Sequence, residues 1–430
     1  MRTILPLVLV AMFSAGCAEE EKDTGPTCDD RVKTAGACPG VTGAAITMEG
    51  IACTQTIAAA NAADLDAKLP TAAAGACVVL NEGSYGVASL PAGVSLVGKG
   101  ASKTTVEGIV TKGAAGGATI RGVTVGTGGI AVSERGTLTI EKVKVSGAAS
   151  FGVHAVDTSV IVRDTSIFNG TTTGLVASCR GADCASSRPK LTLVRTWVYG
   201  NMRVGVLANG FDVDIDTVEV ASTRASSFLY GRGLEVAGGG SLVARRLSAV
   251  GNEDVGVFVE GGAVDIVGLT VARNVRGIQL QAIPAAGGKL EDFVVADNQA
   301  LGIGIDKGSK GLIVQGGRVA STTAVKVPVD VGGMQEVGDG INWLDGSEVT
   351  IASTVRIESS GRRPLIIEAN AKGKFEGTLA GGDETRGLIV QGGLVASMPE
   401  TITVAAGVKT DVLTKDNALP VAVTMAPGAP

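Results

Sequence analysis

Gly205-Val-Leu-Ala208, Gly233-Leu-Glu-Val236, Gly256-Val-Phe-Val259, Gly277-Ile-Gln-Leu280 and Gly302-Ile-Gly-Ile305 are five statements of one phrase, glycine followed by apolar-x-apolar. After each opening the chain passes through a turn to a second apolar-x-apolar, turns again and reaches a third. The phrase extends upstream to Gly174-Leu-Val-Ala177, Gly152-Val-His-Ala155 and Gly129-Ile-Ala-Val132, and successive openings differ by 23, 22, 31, 28, 23, 21 and 25 residues. Alternation with a period of two and no helical period means strands. Three short strands in each repeat of 21–25 residues predict a parallel β-helix, whose coils bury one face of every strand and are stable only when stacked. The expected fold is all-β, a right-handed single-chain solenoid.

Asparagines strengthen this expectation. Asn169, Asn201, Asn252, Asn274 and Asn298 precede the next opening glycine by 5, 4, 4, 3 and 4 residues. Asparagine tolerates the left-handed backbone and can hydrogen-bond to its copy one coil away. The column resembles the asparagine ladder of the pectate-lyase-like (pectin-lyase fold) superfamily of right-handed β-helices, over about residues 55–400. That resemblance implies a site on the outer face of the strand after the long turn of each coil.

Composition agrees. The chain has 430 residues with 45% hydrophobic and 18% charged, enough apolar material for a large core and too little charge for disorder. Its 63 glycines and 3% aromatics fit many tight turns between short strands. Against 42 acidic residues, 37 Lys and Arg leave a net charge of −5, which argues against a nucleic-acid partner.

The first residues read as an address. Arg2, an apolar run from Ile4 to Phe13, and Ser14-Ala15-Gly16-Cys17 describe an export signal too short to span a bilayer. Small residues ending on Cys17 resemble the bacterial lipobox, which implies cleavage after residue 16 and lipidation of Cys17, with the membrane as a partner through that lipid. Ser14 departs from the usual Leu there. The polar stretch 17–50 reads as a tether carrying a small Cys-containing segment, and residues 51–430 as the β-helix. Ala18 and Glu19 lack the Asp of inner-membrane retention, so the outer membrane is the expected address. The remaining six cysteines, an even number in an exported chain, favour disulfides. Proximity suggests Cys28–Cys38, Cys53–Cys77 and Cys179–Cys184.

Ala-rich residues 56–69, with Ile57, Leu65 and Leu69, predict an amphipathic helix that caps the open end of the solenoid. The two long spacings mark inserted loops at 177–190 and 221–231, in neighbouring coils and expected on one side of the rod.

Between them lie the candidate site residues. With Val213 and Ile215 inward, Asp212, Asp214 and Asp216 all point out. Three like charges in one row need a compensating cation, supplied by Arg195 and Arg245 or by Ca²⁺, the only cofactor the sequence suggests. Asp214 and Asp216 then serve as Ca²⁺ ligands or as a base. Trp197 and Tyr199 flank an inward Val198 and share an outer face, while Tyr230 lies with Phe228 in the second loop. Such rings can stack on sugars.

Several enzymes of the resembled superfamily are excluded. The polygalacturonase pattern of Asn-x-Asp, Asp-Asp, Gly-His-Gly and Arg-x-Lys is missing, since the sole histidine stands in Gly152-Val-His154-Ala. Asn342-Trp-Leu-Asp345 only echoes the Trp-x-Asp-His of one pectate lyase group. The expected function is a cell-envelope lipoprotein that presents a β-helix surface to a carbohydrate or an envelope partner without efficient catalysis. Two alternatives stand beside it: a polysaccharide lyase or glycoside hydrolase acting on an acidic glycan, and a structural or adhesive spacer.

Overall fold

The computed structural model describes residues 46–226, 230–328, 334–367 and 371–380, with short strands at 389–390, 402–404 and 423–425. Cys17, Cys28, Cys38 and Phe228 lie outside the described residues. The described chain is a parallel β-solenoid in which almost every strand pairs with the strand one coil before and one coil after. Inward side chains therefore form files along the axis. Leu193, Ile215, Ala244, Ile266, Leu290, Val314 and Ile351 are partners in register, and all seven are fully buried. Val213 and Val198 are buried as the alternation requires.

Each coil has three faces. The long strand Asp212–Ala221 supplies the first face with 212–216 and the second with 218–221, bending at Thr217. The next strand, Arg232–Ala237, forms the third face. The bend recurs in every neighbouring coil as a file of left-handed residues: Asp164, Arg195, Thr217, Arg246, Gly268, Asp292 and Gly316, with φ between 44° and 75°. Only two of these are glycine. A single left-handed residue turns the chain without breaking the ladder on either side, and stacking on identical corners holds the others there against their steric preference.

The second corner carries the ladder. Asn298 Oδ1 accepts from the backbone N–H (3.0 Å) and Nδ2 (3.1 Å) of Asn274, and Asn274 Oδ1 accepts from the same two donors of Asn252 at 2.9 and 3.0 Å. Asn252 Oδ1 accepts from Thr223 N–H, and Asn201 Oδ1 from Gly170 N–H. Asn169 is not a rung: it is exposed, has φ 54° and stands in register with Gly200, one residue before the ladder position. Thr223 fills the place where no asparagine was found.

The ladder adds to the crowding at the opening glycine. A Cβ on Gly233 would lie 2.8 Å from Asn252 Nδ2, and one on Gly256 2.9 Å from Asn274 Nδ2. The next coil's backbone is nearer still, with a carbonyl oxygen 2.6 Å from a Cβ on Gly233 and 2.4 Å from one on Gly277 or Gly302. The repeat keeps glycine there because the following coil, with its asparagine where one is present, occupies the space.

The expected helix over 56–69 is divided. Gln55–Ala59 is a strand pairing with Ala76–Leu80, and the helix runs only from Ala62 to Lys68, followed by a 3₁₀ turn at Leu69–Thr71. Pairing with the first coil satisfies the backbone of 55–59, so only the segment after the Asn61 cap is helical. Leu65 and Leu69 are buried, as an end cap demands. Both disulfides within the described residues, Cys53–Cys77 and Cys179–Cys184, are formed. Farther on, an antiparallel hairpin of Val325–Pro328 and Met334–Val337 interrupts the repeat.

Candidate functional site

The sequence-selected residues are distributed over three faces. On the first, Asp212, Asp214 and Asp216 point outward and are half-buried. Each has a partner from a neighbouring coil. Asp212 Oδ1 accepts from Ser241 N–H (3.0 Å) and Oγ (2.8 Å), Asp214 pairs with Lys190 at 2.9 Å, and Asp216 pairs with Arg246. Arg195 forms two hydrogen bonds to Asp164, at 2.6 and 2.7 Å, and Arg245 pairs with Asp265 at 2.6 Å. The Asp164 carboxylate beside it raises the pKa of Arg195. Lys190 and Arg246 thus supply the compensating positive charge beside Asp214 and Asp216. Among the described residues, the one group of three His, Cys, Asp or Glu side chains whose ligand atoms converge is Asp157, Cys179 and Cys184. Its two sulfurs are joined to each other.

Trp197 and Tyr199 do share an outer face, the second, with ring centroids 5.2 Å apart and Val198 buried between their positions. Phe168 of the preceding coil lies 6.1 Å from Trp197. Tyr230 belongs to the edge of the third face, where the Arg232 guanidinium sits 4.8 Å from its ring centre and 4.3 Å from that of Phe258.

The two insertions do not stack along one edge. The first joins the third-face strand Leu175–Ser178 to the first-face strand Lys190–Tyr199, and the second joins Asp212–Ala221 to the third-face strand Arg232–Ala237. They open at opposite edges of the third face.

That face carries a row unlike the others. In register, coil by coil, its outward positions are His154, Val176, Leu207, Glu235, Phe258, Gln279, Gly304 and Asn342. Val176, Phe258 and Gln279 are buried although they point away from the core. Burial and then the charge of Arg180 lower the pKa of His154. Burial raises that of Glu235, against the opposing pull of Arg232, whose Nη1 lies 3.0 Å away. Arg232, Asp254 and Arg276 continue as a line of alternating charge across three coils.

Asp306, two residues along the same face, has its pKa pushed up to about 6, mainly by burial, with Lys307 opposing and Asp345 reinforcing. Gln279 and Gln281 donate to its Oδ2 at 2.9 and 3.2 Å, while its Oδ1 is buried without a donor. Gly304 leaves room for this cluster, since a Cβ there would lie 2.9 Å from Gln279 Oε1. The two carboxyls with raised pKa, Glu235 and Asp306, are three coils apart. At about 4.8 Å per coil that is about 14 Å, beyond the roughly 6.5–9.5 Å of an inverting glycosidase pair.

Sequence reasoning passed over Glu235 and Gln279, yet both carried a signal. They are polar residues at the free position of the opening phrase, Gly233-Leu-Glu235-Val and Gly277-Ile-Gln279-Leu. Asp306 carried none, because its burial depends on side chains from earlier coils.

No family model matches the sequence, and no curated protein does. Among solved structures, the chain is similar to the A-module of an Azotobacter vinelandii mannuronan C-5 epimerase: 15% identity, 86% of this chain, 94% of that one and a TM-score of 0.36. It is also similar to the catalytic domain of a GH87 α-1,3-glucanase solved with tetrasaccharides, at 13% identity, 84% of this chain, 59% of that one and a TM-score of 0.32. Both are similarities of overall winding alone.

Proposed function

We propose that this chain is an exported, lipid-anchored β-helix that binds a glycan along its third face and does not turn it over efficiently. The observation that carries the proposal is the opening of both insertions onto one face, the face with the recessed row of Glu235, Phe258 and Gln279. Carboxylates, amides and a ring along a groove are the groups that orient sugar hydroxyls and stack on sugar C–H faces. The separation of Glu235 and Asp306 supports binding over paired-carboxylate hydrolysis.

Titration of the purified protein with neutral and acidic oligosaccharides tests this. Tyr230→Ala and Gln279→Ala should each weaken binding by about tenfold or more, which is 1.4 kcal/mol. Trp197→Ala, on the second face, should leave it unchanged. Loss of binding in Trp197→Ala with parental binding in the other two would overturn the placement, and absence of binding to every oligosaccharide would overturn the function. The two disulfides suit an oxidising compartment, and no helix among the described residues is long and apolar enough to cross a membrane. Anchoring therefore rests on Cys17: Cys17→Ser should move the protein from washed membranes to the soluble fraction or leave it unprocessed.

A further inference from the structure

Arginines in the central coils are mostly matched: Arg195 with Asp164, Arg232 with Glu235, Arg245 with Asp265, Arg246 with Asp216 and Arg276 with Asp254. Arg163 on the first face and Arg273 at a downstream corner form no ion pair among the described residues. Arg180, Arg188, Arg203 and Arg224 are likewise unmatched. All four are exposed, and none forms an ion pair with a carboxylate among the described residues. Their positions are not scattered. Arg180 and Arg188 belong to the first insertion, at one edge of the third face. Arg203 and Arg224 sit together at the other edge, where Met202 and Arg224 form a bridge and Arg203 N–H donates to Arg224 C=O at 2.7 Å.

Between the edges runs the strand Val204–Asn209, five steps of about 3.3 Å, so the cationic borders are roughly 17 Å apart. The floor is apolar, Val176 beside Leu207 in the next coil. The first border reaches inward and along the rod. Arg180 lies close enough to His154 to oppose its protonation, and Arg188 Nη2 is 3.2 Å from the position of a Cβ on Gly239. The nearby carboxylates are already engaged: Asp157 accepts from the N–H groups of Arg180 and Gly181, Glu253 from that of Ala225, and Asp183 faces Arg135. A positive balance remains. It fades downstream, where the same face presents Glu235, Glu260 and Asp306.

We infer that the upstream half of the third face is a subsite for an acidic glycan, with Arg180, Arg188, Arg203 and Arg224 gripping its carboxylate or sulfate groups over the floor of Val176 and Leu207. The inference rests on the glycan-binding proposal above and names its ligand class. Guanidinium forks form charge-assisted, bidentate contacts with such anions. A strip one strand wide between two rows of arginines matches the width of a single extended polymer.

The test uses the full purified protein with oligogalacturonate, its fully methyl-esterified neutral counterpart, and vesicles of zwitterionic lipid with and without phosphatidylglycerol. Oligogalacturonate should bind, and more weakly at physiological than at low ionic strength. The double variant Arg203→Gln/Arg224→Gln should lose about tenfold at low ionic strength with an unchanged melting temperature. Arg245→Gln, which breaks a first-face pair, should bind like the parent. Equal binding of the neutral ester, or parental binding by the double variant, overturns the acidic subsite while leaving a glycan-binding face in place. Failure of both oligosaccharides overturns the face as well. Binding to phosphatidylglycerol vesicles alone, lost in the double variant, replaces the glycan with a lipid surface and overturns the inference.

Discussion

On the first face, Asp214 meets Lys190 at 2.9 Å and Asp216 meets Arg246, so a row of carboxylates is balanced coil by coil and stays half-exposed. On the third face, Asp306 is recessed, has two glutamine amides on one oxygen and nothing on the other, and holds its proton up to about pH 6. Both rows are outward positions of the same repeat. Their difference shows that an outward position on a solenoid is not a single environment. On one face a carboxylate meets water and a cation one coil away. On the other, Asp306 lies withdrawn from solvent beside the amides of Gln279 and Gln281.

The comparison is broken most severely from inside. Ile215 lies beneath the first-face aspartates and is fully buried. Ile215→Asp places a charge in a stacked core file, so cooperative unfolding in denaturant should be lost, at a cost of several kcal/mol. Asp216→Asn, one residue away and outward, should keep the sharp transition. Equal damage by both would mean that the two sides of the strand are not different environments at all.

A smaller effect is expected at the glycine file behind the third face. Gly256→Ala drives a methyl to within 2.6 Å of Val271 Cγ1 and 2.9 Å of Asn274 Nδ2, and should lower stability by about 2–3 kcal/mol. Gly147→Ala, at φ 66° with nothing within 4 Å, should cost only about 1 kcal/mol from backbone strain. Denaturation midpoints of the two variants rank the crowding directly. A larger loss at Gly147 would remove crowding by the stacked coil as the reason for the repeat's opening glycine.

Asp306 sharpens the contrast by its pH dependence. Its folded pKa of about 6 stands above the ordinary 3.8, so between those values the folded state binds more protons than the unfolded one. Its contribution to stability is complete below about pH 4 and declines as pH rises through 6. After allowance for partial solvent screening the loss is about 1–2 kcal/mol. Thermal melts from pH 4 to 7 should show this decline, and Asp306→Asn should flatten it. A parental slope in that variant would place the titration elsewhere.

The smallest effect belongs to the first-face pair. Asp214→Asn should change stability by less than about 1 kcal/mol, and by less still in high salt, because both partners are exposed. A loss as large as that at Asp306 would erase the distinction between the faces.

Much of the architecture was legible in residue order. Gly-apolar-x-apolar openings reveal strands, and their spacing reveals coils, because alternation is a local consequence of strand geometry. Val213, Ile215 and Val198 were readable as core for that reason, and Cys179 with Cys184 as a closed loop. The ladder was readable only in part. Thr223 stands at a ladder position that no asparagine marks and contributes only its backbone N–H, and Asn169 falls one residue short of such a position. The candidate site was less legible. Arg195 and Trp197 are two residues apart, but a left-handed corner at Arg195 itself sends them to different faces.

Sequence alone therefore determined the solenoid, its inward files and the coils that carry insertions. These follow from a period of two and a repeat near 23 residues, and both are visible along the chain. Only the tertiary structure decided that Arg195, Thr217 and Arg246 turn the corners, that every first-face aspartate has a partner, and that the insertions frame the third face. Those outcomes depend on residues 20–31 positions apart in the chain. Their meeting is set by how one coil lands on the next, and stacking can hold an arginine in a backbone conformation that its own preferences disfavour.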